Sequence, residues 1–435
     1  MRKMKDSGIE WIGAIPNDWN ICKFKNSVQI YNGNSIKDEN KMNYDDPYDA
    51  IPYIATKDIT LESHTIDYNN GMYTKKEDKA FKVAPRHSIL LCIEGGSAGR
   101  KIGFVNQDVS FINKLCCFYS ESMANKYLFY LMQSSAFTEE FKLSLSGMIG
   151  GVSVNQLKEF PLLVPSFGEQ QLISNYLDKK CDKLDAIIVA KEKTNKLLKE
   201  RRQSIIYEAV TKGLDPTVSM KDSGFEWIGT IPSTWEIRKL RYLGSCSNGI
   251  SKAGEFFGSG SPFVSYGDVY KNMELPREVS GLIETTAEEQ QLYSVEEGDV
   301  FFTRTSETIE EVAISSTCMQ TIENATFAGF LIRFRPNTEL LAKEFSKYYF
   351  RSEMHRFFFV KEMNLVTRAS LSQDLLKKLP VLLPPVDEQK RIAYYLDNEC
   401  SNIDELIATN ESTIEKLKEY RQSVIYEAVT GKIEV

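Results

Sequence analysis

The sequence is poor in histidine and contains no long hydrophobic run. Its three histidines, His64, His87 and His355, have neither the spacing of metal ligands nor the context of a catalytic triad. The longest apolar runs, such as Ile89–Ile93, have the length of buried strands and fall far short of the ~18 residues of a membrane span. The first residues lack the apolar region of a signal peptide, so we expect a cytoplasmic protein.

Cysteine pairs with the spacing of a zinc or redox site are also missing. The eight cysteines are scattered without a Cys-x-x-Cys pair, and the adjacent residues Cys116 and Cys117 are poorly spaced for zinc. Cysteines of a cytoplasmic protein are usually reduced. The sequence therefore predicts free core cysteines and no metal site.

No motif of a known catalytic site is complete. Gly95–Lys101 is glycine-rich, as phosphate-binding loops are, but its spacing differs from G-x-x-x-x-G-K-[ST] and no Ser or Thr follows the lysine. Asp46-Pro47-Tyr48 is one proline short of the loop of amino-methyltransferases, and no S-adenosylmethionine fingerprint precedes it. We therefore expect no active site and interpret Gly95–Lys101 as a turn between two strands, from which Arg100 and Lys101 could reach a DNA phosphate.

The net charge of -7 argues against a protein that binds nucleic acid through an overall positive surface. The charge is distributed unevenly: it is 0 in residues 1–167, +2 in 168–220, -4 in 221–386 and -5 in 387–435. If the chain binds DNA, local basic loops or partner subunits must supply the phosphate contacts.

What the sequence does contain is a long helical segment, Gly168–Lys212. After its first residue it has no glycine or proline and is rich in Lys, Glu, Leu and Ala. Apolar residues recur at multiples of seven, interrupted only by Lys191, and Ile173 and Ile187 extend the apolar seam. The recurring residues are Leu177, Leu184, Leu198 and Ile205. Such a repeat predicts a helix of roughly 66 Å that packs against a partner helix.

The partner helix is predicted in the same chain, because Asp387–Lys432 repeats this pattern at the end of the second half. Tyr420–Thr430 is identical to Arg201–Thr211 at nine of eleven positions, and Asn410 stands at the position equivalent to Lys191. Identity of this degree exceeds what packing usually requires, so we interpret it as an internal duplication.

A second repeated motif precedes each half of the chain. Lys5–Pro16 returns as Lys221–Pro232 and is identical to it at ten of twelve positions. We interpret Trp11, Ile12 and Trp19 as residues that pin the start of the first half onto a core. We call the repeated segments the Trp-Ile-Gly motifs.

Between the repeated segments lie two regions of dissimilar sequence, about residues 17–165 and 233–384, which we call the heads. Each contains short β-type runs, a helical stretch and a proline-rich junction to the following helix. The predicted strands are Pro52–Thr56, Ser88–Ile93, Lys101–Val105, Pro262–Tyr266, Asp299–Thr303 and Gly329–Phe334; the helical stretches are Asn125–Gln133 and Leu341–Arg351; the junctions are Phe160–Pro165 and Leu379–Pro385. The predicted domains are residues 1–167, 168–215, 216–386 and 387–435.

The predicted fold class is α/β (α+β), with two heads of mainly β core separated by two long helices. The first head leads into one end of the first helix and the second head begins soon after its other end. The second helix should therefore return antiparallel, which gives the chain an internal pseudo-two-fold symmetry. Lys191 should meet Asn410 in a polar layer that fixes the register. Cys181 and Cys400 should be too far apart for a disulfide.

These repeats resemble the specificity subunits of type I restriction–modification systems. The likeness covers nearly the whole chain and lies in the two Trp-Ile-Gly motifs, in the helix starts Glu169-Gln-Gln-x-x-Ile and Glu388-Gln-Lys-x-Ile, and in the twin helix ends Arg-Gln-Ser-x-Ile-Tyr-Glu-Ala-Val-Thr. The resemblance implies a non-catalytic subunit with two target-recognition domains, each of which binds one half of a bipartite sequence in double-stranded DNA.

The resemblance also implies partners and cofactors. Two methyltransferase subunits would use S-adenosylmethionine, and restriction–translocase subunits would use ATP and Mg²⁺, whereas this chain would bind no cofactor itself. A coiled-coil scaffold whose heads bind proteins instead of DNA fits the same organisation. Sequence-selective DNA binding would separate these two functions. The incomplete motifs argue against a third function, that of an enzyme. Methyl transfer by the isolated chain would support that function.

The candidate DNA contacts lie in the heads, where the two halves differ in sequence. Arg and Lys pair with guanine edges, and Ser and Thr suit several bases. The alternative interpretation of any single one of these residues, a surface ion pair or a turn residue, is the more common case. The candidate DNA contacts are Thr56, Lys57, Asp58, Arg100 and Lys101 in the first head, and Tyr266, Arg304, Thr305, Ser306, Arg368 and Ser370 in the second, together with the loops Ile149–Ser153 and Thr367–Ser372.

The candidate contacts with methyltransferase subunits lie where the halves are identical, because both copies must offer the same surface. They are Arg202, Gln203, Tyr207 and Glu208 in the first helix, and Arg421, Gln422, Tyr426 and Glu427 in the second.

Overall fold

The structure, a computed structural model, describes residues 2–145, 150–306, 311–362 and 369–435. Two long helices dominate it, and both agree with the predicted ends to within three residues. The helices are α1 (Asn125–Gln133), α2 (Ser135–Leu143), α3 (Val154–Glu159), α4 (Phe167–Lys212), α5 (Tyr266–Lys271), α6 (Ala287–Leu292), α7 (Lys343–Arg351), α8 (His355–Glu362), α9 (Gln373–Leu376) and α10 (Val386–Val429).

The strands are short and fall into two series. The first series is β1 (Met4–Asp6), β2 (Ala14–Pro16), β3 (Asn20–Lys23), β4 (Gln29–Asn32), β5 (Ala50–Ile54), β6 (Tyr73–Lys75), β7 (Val83–Ala84), β8 (Ile89–Cys92), β9 (Ile102–Phe104), β10 (Val109–Phe111), β11 (Leu115–Tyr119) and β12 (Pro161–Val164). The second series is β13 (Met220–Asp222), β14 (Thr230–Pro232), β15 (Glu236–Lys239), β16 (Gly244–Asn248), β17 (Phe257–Val264), β18 (Leu282–Ile283), β19 (Val300–Thr303), β20 (Thr305–Ser306), β21 (Ser315–Thr317), β22 (Thr326–Phe327), β23 (Leu331–Pro336), β24 (Ala369–Ser370) and β25 (Pro380–Leu383).

The chain forms two compact units, and the division between them passes through both long helices. Unit 1 comprises Met1–Glu192 and Asn410–Val435, and unit 2 comprises Lys193–Thr409. Each unit therefore contains one head, one Trp-Ile-Gly motif and a part of each long helix.

The head of unit 1 is built on two four-stranded sheets. One is antiparallel and has the strand order β4-β11-β8-β9. The other has the order β6-β5-β10-β7 and contains the parallel pair β5 and β10. Strand β8 is buried along its whole length, and its sequence Ile-Leu-Leu-Cys is a continuous apolar run because both faces of the sheet are covered.

The head of unit 2 repeats the antiparallel sheet and the parallel strand pair with a different sequence, and its second sheet has three strands instead of four. Its antiparallel sheet has the order β16-β23-β19-β21, and its second sheet has the order β18-β17-β22, in which β17 and β22 are parallel. In both units the strand before the long helix pairs with the strand after the Trp-Ile-Gly motif: β12 pairs with β3, and β25 pairs with β15. The α+β prediction with mainly β cores is confirmed.

Within unit 1 the two long helices run antiparallel. Lys180 Nζ lies 5.2 Å from the ring centre of Tyr420, and Asp185 pairs with Arg421 at 3.0 Å. Further along α4, Lys191 Nζ donates a hydrogen bond to Asn410 Oδ1 at 3.0 Å. The predicted polar layer is therefore confirmed, and a polar pair of this kind fixes the register of two helices at some cost in stability.

The buried residues of the helices recur at spacings of three or four residues. They are Ile173, Leu177, Cys181, Leu184 and Ile188 in α4, and Ile392, Leu396, Cys400, Ile403 and Ile407 at the equivalent positions of α10. The prediction for Ile187 is wrong: its side chain is 45% exposed, whereas Ile188 is 8% exposed. At 3.6 residues per turn, the face that contains positions 181 and 184 continues to 188.

Each Trp-Ile-Gly motif packs on the end of a long helix. In unit 1, Ile12, Ile15 and Trp19 share a hydrophobic core with Val424–Val429. In unit 2 the equivalent core joins residues 228, 231 and 235 to residues 206, 209 and 210. The predicted anchoring role is confirmed for Ile12 and Trp19, which are fully buried, while Trp11 is half-buried.

All eight cysteines are free. Cys181 belongs to unit 1 and Cys400 to unit 2. Among the described residues, no helix combines the length and the apolar character that crossing a membrane requires.

Candidate nucleic-acid interface

The three candidate segments of the first head come together in unit 1. Lys101 Nζ donates a hydrogen bond to the carbonyl of Thr56 at 2.9 Å, which joins segments 45 residues apart. The amide of Gly95 donates to the carbonyl of Gly150 at 3.0 Å. We call Thr56–Asp58, Gly95–Lys101 and Gly150–Ser153 loop cluster 1. Ile149 lies outside the described residues.

The equivalent segments of unit 2 form loop cluster 2, which consists of Tyr266–Asp268, Arg304–Ser306 and Ala369–Ser372. Thr305 pairs with Ser370 in a short antiparallel ladder, and the amide of Leu371 donates to the carbonyl of Arg304 at 2.7 Å. Arg368 and Thr367 lie outside the described residues.

The third segment of loop cluster 2 is joined to the others through one carbonyl. Tyr266 Oη donates to the carbonyl of Glu311 at 3.5 Å, and Thr303 Oγ1, next to Arg304, donates to the same carbonyl at 2.8 Å. Within each head, the predicted segments therefore lie side by side.

An aspartate closes the equivalent turn in both clusters. Asp58 Oδ2 accepts the amide N–H of Ala55 at 2.8 Å and a second hydrogen bond from Asn70 at 2.7 Å. Asp268 Oδ2 accepts the amide N–H of Ser265 at the same distance of 2.8 Å. Because Asp58 is only 7% exposed, the structure gives it a structural role, which was the alternative interpretation of this residue.

The remaining side chains of the two clusters differ in kind and in exposure. In loop cluster 1, Lys57 and Arg100 are exposed, whereas Thr56 and Lys101 are half-buried. In loop cluster 2, Ser370 is exposed, whereas Tyr266, Arg304 and Thr305 are half-buried. Cluster 1 therefore exposes two cations, while cluster 2 exposes a hydroxyl group and holds a half-buried arginine and an aromatic ring that stacks on Tyr270 at 5.9 Å.

A cavity of about 300 Å³ in unit 1 brings Arg100 near the end of α10. Its lining includes His64 and Gln422, so a candidate DNA contact and a candidate partner contact face the same space. Burial lowers the pKa of His64 to about 4, and Arg421 lowers it further in the same direction. This imidazole is therefore neutral near pH 7 and adds no positive charge for DNA.

The candidate partner contacts are partly used within the chain. Arg421 pairs with Asp185 at 3.0 Å in unit 1, and Arg202 pairs with Asp404 at 3.0 Å in unit 2. The two pairs occupy equivalent positions of the internal repeat. The helix pair itself therefore explains why an arginine occurs in both copies.

Further contacts explain more of the repeated helix ends. Tyr426 Oη donates to the carbonyls of Trp11 and Ile12, both at 3.0 Å, and so ties α10 to the Trp-Ile-Gly motif. Tyr207 packs against the equivalent core of unit 2. Gln203 Nε2 donates to Glu353 at 2.8 Å. Another candidate partner contact, Glu427, accepts a hydrogen bond from Ser423 at 3.1 Å. The candidate partner contacts Gln203, Glu208 and Gln422 are exposed.

The start of each long helix holds its head through a buried glutamine, a member of the repeated helix-start motif to which the sequence analysis assigned no role. Gln170 accepts the amide N–H of Ala124 at 2.9 Å and donates to the carbonyl of Pro165 at 3.0 Å. Gln389 accepts the amide N–H of Ala342 at 2.9 Å. It also donates to the carbonyls of residues 340 and 384. The signal that could have found these residues is the repeated Glu-Gln pair itself.

An aspartate further along each long helix, Asp178 or Asp397, makes a second connection to the head. Asp178 accepts hydrogen bonds from Lys126 and Tyr130, at 3.0 and 2.6 Å. Asp397 accepts hydrogen bonds from Lys347 and Tyr348, at 2.6 and 2.7 Å. Burial, and then the neighbouring carboxylate, raise the pKa of both tyrosines. These phenols therefore stay protonated, and they donate to the aspartates.

A family model described as the type I restriction modification DNA specificity domain matches the chain twice, over residues 16–199 and 232–419. The chain belongs to this family. Each match contains one head and most of the helix that follows it, as expected for a duplicated type I specificity protein. The predicted family resemblance is therefore confirmed.

Relatives of this type I specificity chain match it over nearly its full length. It is 23% identical over 443 residues to the EcoKI specificity subunit of Escherichia coli K12, with 97% of this chain and 90% of the relative covered. It is 25% identical over 450 residues to the putative MjaX specificity subunit of Methanocaldococcus jannaschii, with 98% and 96% covered.

Two solved structures share the fold of this type I specificity chain. A chain from work on complex assembly and conformational transition of the type I R-M system superposes with a TM-score of 0.74 at 15% identity, and 96% and 99% of the two chains are covered. The HsdS subunit from Thermoanaerobacter tengcongensis superposes with a TM-score of 0.53 at 16% identity, with 96% and 98% covered.

Proposed function

We propose that this chain is the DNA sequence-specificity subunit of a type I restriction–modification complex, in which loop clusters 1 and 2 each read one half of a bipartite target. The chain is non-catalytic in this proposal. The reading groups are the accessible side chains of the clusters, including Lys57 and Arg100 in unit 1 and Tyr266, Arg304 and Ser370 in unit 2.

The observation that supports this proposal most is that the two clusters share a backbone arrangement but not their side chains. Asp58 and Asp268 close equivalent turns at the same distance, yet cluster 1 exposes the cations Lys57 and Arg100, whereas the described cation of cluster 2, Arg304, is half-buried and Ser370 is exposed. Base edges in the major groove differ in their donors, acceptors and methyl groups. A common scaffold that presents different side chains therefore suits two different half-sites.

The partners follow from the same proposal. Two methyltransferase subunits, which bind S-adenosylmethionine, would dock on the repeated helix ends, one in each unit. Restriction–translocase subunits, which use ATP and Mg²⁺, would join for cleavage. Because the net charge of this chain is -7, the methyltransferase subunits would supply many of the phosphate contacts.

Mapping of methylated positions across a genome tests the proposal. The complex assembled with the methyltransferase subunits should methylate one bipartite sequence and bind it selectively in a mobility-shift assay. The double variant Lys57→Ala/Arg100→Ala should relax one half-site and leave the other unchanged. Lys418→Ala is the matched control, because it removes a cation from α10 that pairs with Glu415 at 3.3 Å, outside both clusters.

If the complex binds no DNA duplex selectively, the proposed DNA-recognition function is wrong, and the alternative function, a scaffold whose heads bind proteins, is favoured. Docking is tested separately with Glu208→Lys and with Gln203→Ala/Gln422→Ala, which change exposed members of the repeated set. These variants should lose methyltransferase subunits in size-exclusion chromatography while both units stay folded. Retention of full assembly by both would exclude this surface.

A further inference from the structure

A tight turn that no sequence pattern indicated lies against each loop cluster. In unit 1 it joins β10 to β11 and carries Lys114, and in unit 2 it joins β22 to β23 and carries Phe330. The carbonyl of Lys114 accepts the amide N–H of Ile93 at 3.0 Å, and the carbonyl of Phe330 accepts the amide N–H of Arg304 at 2.9 Å. Ile93 and Arg304 each follow the equivalent strand, β8 or β19, so the two turns occupy the same place.

The backbone of the turn is fixed in both units. The amide of Leu115 donates to the carbonyl of Ile112 at 3.0 Å, and the amide of Leu331 donates to the carbonyl of Ala328 at 2.9 Å. Each turn is therefore closed by the same internal hydrogen bond.

In unit 2 the turn is also packed tightly against the segment before β17. The amide of Gly329 donates to the carbonyl of Ile250 at 2.8 Å. A Cβ atom on Gly329 would lie 2.2 Å from Ser251 Oγ, closer than any side chain tolerates. The backbone beside Phe330 consequently has little freedom to move.

The side chains at the tip contrast with this fixed backbone. Phe330 is 63% exposed, and Lys114 is exposed. The guanidinium of Arg304 reaches back over the same turn, with Nη1 3.4 Å from the carbonyl of Gly329. A predicted base-reading arginine and an exposed aromatic residue therefore lie next to each other on the same turn, and binding would not have to order the backbone that carries them.

We propose that this turn is a fourth DNA-contacting segment in each unit, in which Phe330 makes an apolar contact with a base and Lys114 contacts a phosphate. The inference rests on the proposed function and adds to it. Apolar side chains distinguish bases through the thymine methyl group, whereas a phosphate contact carries no sequence information. Unit 2 thus gains selectivity from the turn, and unit 1 gains affinity.

Two single variants in the full complex with its methyltransferase subunits test the inference. Phe330→Ala should relax one position of one half-site, with a loss of discrimination on the order of tenfold, and should leave the dependence of binding on salt unchanged. Lys114→Ala should weaken binding to all sequences, relax no position and reduce the slope of log K against log salt by about one.

The exchange variant and the control sharpen the test. Phe330→Lys places the residue of unit 1 in unit 2, so it should lose the same discrimination and raise the salt slope by about one. Phe330→Leu keeps an apolar side chain and should retain most of the discrimination. Tyr242→Ala removes an aromatic side chain of unit 2 that lies outside the turn and is 60% exposed, close to the exposure of Phe330. It should change neither the discrimination between bases nor the salt slope.

An unchanged methylation profile for Phe330→Ala, in a complex whose wild type binds selectively, would overturn the inference and leave the proposed function intact. A relaxed position in the Lys114→Ala profile would overturn the phosphate assignment. If the wild-type complex itself shows no selective binding, the proposed function fails first.

Discussion

The two units agree most closely where a long helix holds a head, and they differ most in the loop clusters. Asp178 and Asp397 accept hydrogen bonds from a lysine and a tyrosine of the head helix in both units, and Gln170 and Gln389 accept an equivalent amide N–H at the same 2.9 Å. Sequence is therefore retained at these connections between helix and head, and it differs in the loops that we propose to read different half-sites.

Identical residues do not always make identical contacts, however. Trp19 Nε1 donates to Glu169 at 3.0 Å, and Arg2 pairs with the same carboxylate. In unit 2, Trp235 is fully buried but its Nε1 finds no hydrogen-bond partner among the described residues. When the alignment of the two repeats is extended to Arg2, its equivalent in unit 2 is Val218. Glu388, the equivalent of Glu169, therefore lacks the arginine that pairs with Glu169 in unit 1.

Removal of the buried glutamines should give the largest effect on this comparison. Gln389→Leu leaves one amide and two carbonyl groups without their partner, which should cost about 3 kcal/mol, and Gln170→Leu should cost somewhat less because it removes two such bonds. Hydrogen exchange during urea titration measures each unit separately. Gln171→Leu, at an exposed neighbouring position, is the control. Equal, negligible losses in all three would contradict the role of these glutamines.

Acid should weaken the two units in the same way through their buried histidines. Burial lowers the pKa of both His64 and His355 to about 4, from an ordinary value of 6.5. Between these values the unfolded chain binds the proton and the folded chain does not, so stability falls as the pH falls through this window. From pH 7 to pH 5 each unit should lose about 2 kcal/mol.

His355→Leu should remove the dependence on pH from unit 2 and leave it in unit 1, as measured by hydrogen exchange at pH 7 and pH 5. Its stability at pH 7 should also fall, because His355 Nε2 donates to the carbonyl of Tyr349 at 2.8 Å. A pH dependence that persists unchanged in unit 2 would assign the effect to other groups.

The paired carboxylates at the helix starts should respond unequally. Glu169→Ala leaves the indole N–H of buried Trp19 and the guanidinium of Arg2 without their acceptor, which should cost about 1–2 kcal/mol. Glu388→Ala should cost less than about 0.5 kcal/mol, because Trp235 Nε1 does not use it. Thermal unfolding followed by tryptophan fluorescence checks this. Equal costs would mean that the two motifs are equivalent after all.

The ion pairs between the long helices should give the smallest difference. Double-mutant cycles on Arg421 with Asp185 and on Arg202 with Asp404 should each yield less than about 1 kcal/mol, since the carboxylates are about half exposed. The first pair should couple more strongly, because its arginine is the more buried, at 12% against 26% exposure. A coupling well above the range of exposed ion pairs in either cycle would contradict this.

Local patterns in the sequence predicted the regular elements well. The helix predicted over Asn125–Gln133 agrees with α1 at both ends, and α4 and α10 follow from their uninterrupted apolar repeat. The strand predicted over Pro262–Tyr266 ends early at Val264, because Ser265 caps a helix: its Oγ accepts the amide N–H of Asp268 at 3.3 Å. The Ser-x-x-Asp spacing carried that signal.

The candidate site was predicted only in part, because long-range contacts assemble it. Sequence differences between the heads pointed to the segments of both loop clusters, but the hydrogen bond from Lys101 to Thr56 depends on the fold of the whole head. The turn with Lys114 and Phe330 gave no signal, since a single exposed aromatic residue is common on protein surfaces. No local pattern indicated that Tyr426, whose contact with a partner stays a prediction, also contacts the Trp-Ile-Gly motif of its own unit.

The division of the chain has a consequence for its synthesis on the ribosome. Unit 2 is one continuous stretch, Lys193–Thr409, and can complete its fold once that stretch has emerged. Unit 1 is made first but closes last, because the core around Trp19 needs Val424–Val429. At roughly 5–20 residues per second, the first head waits on the order of tens of seconds with that core open to chaperones.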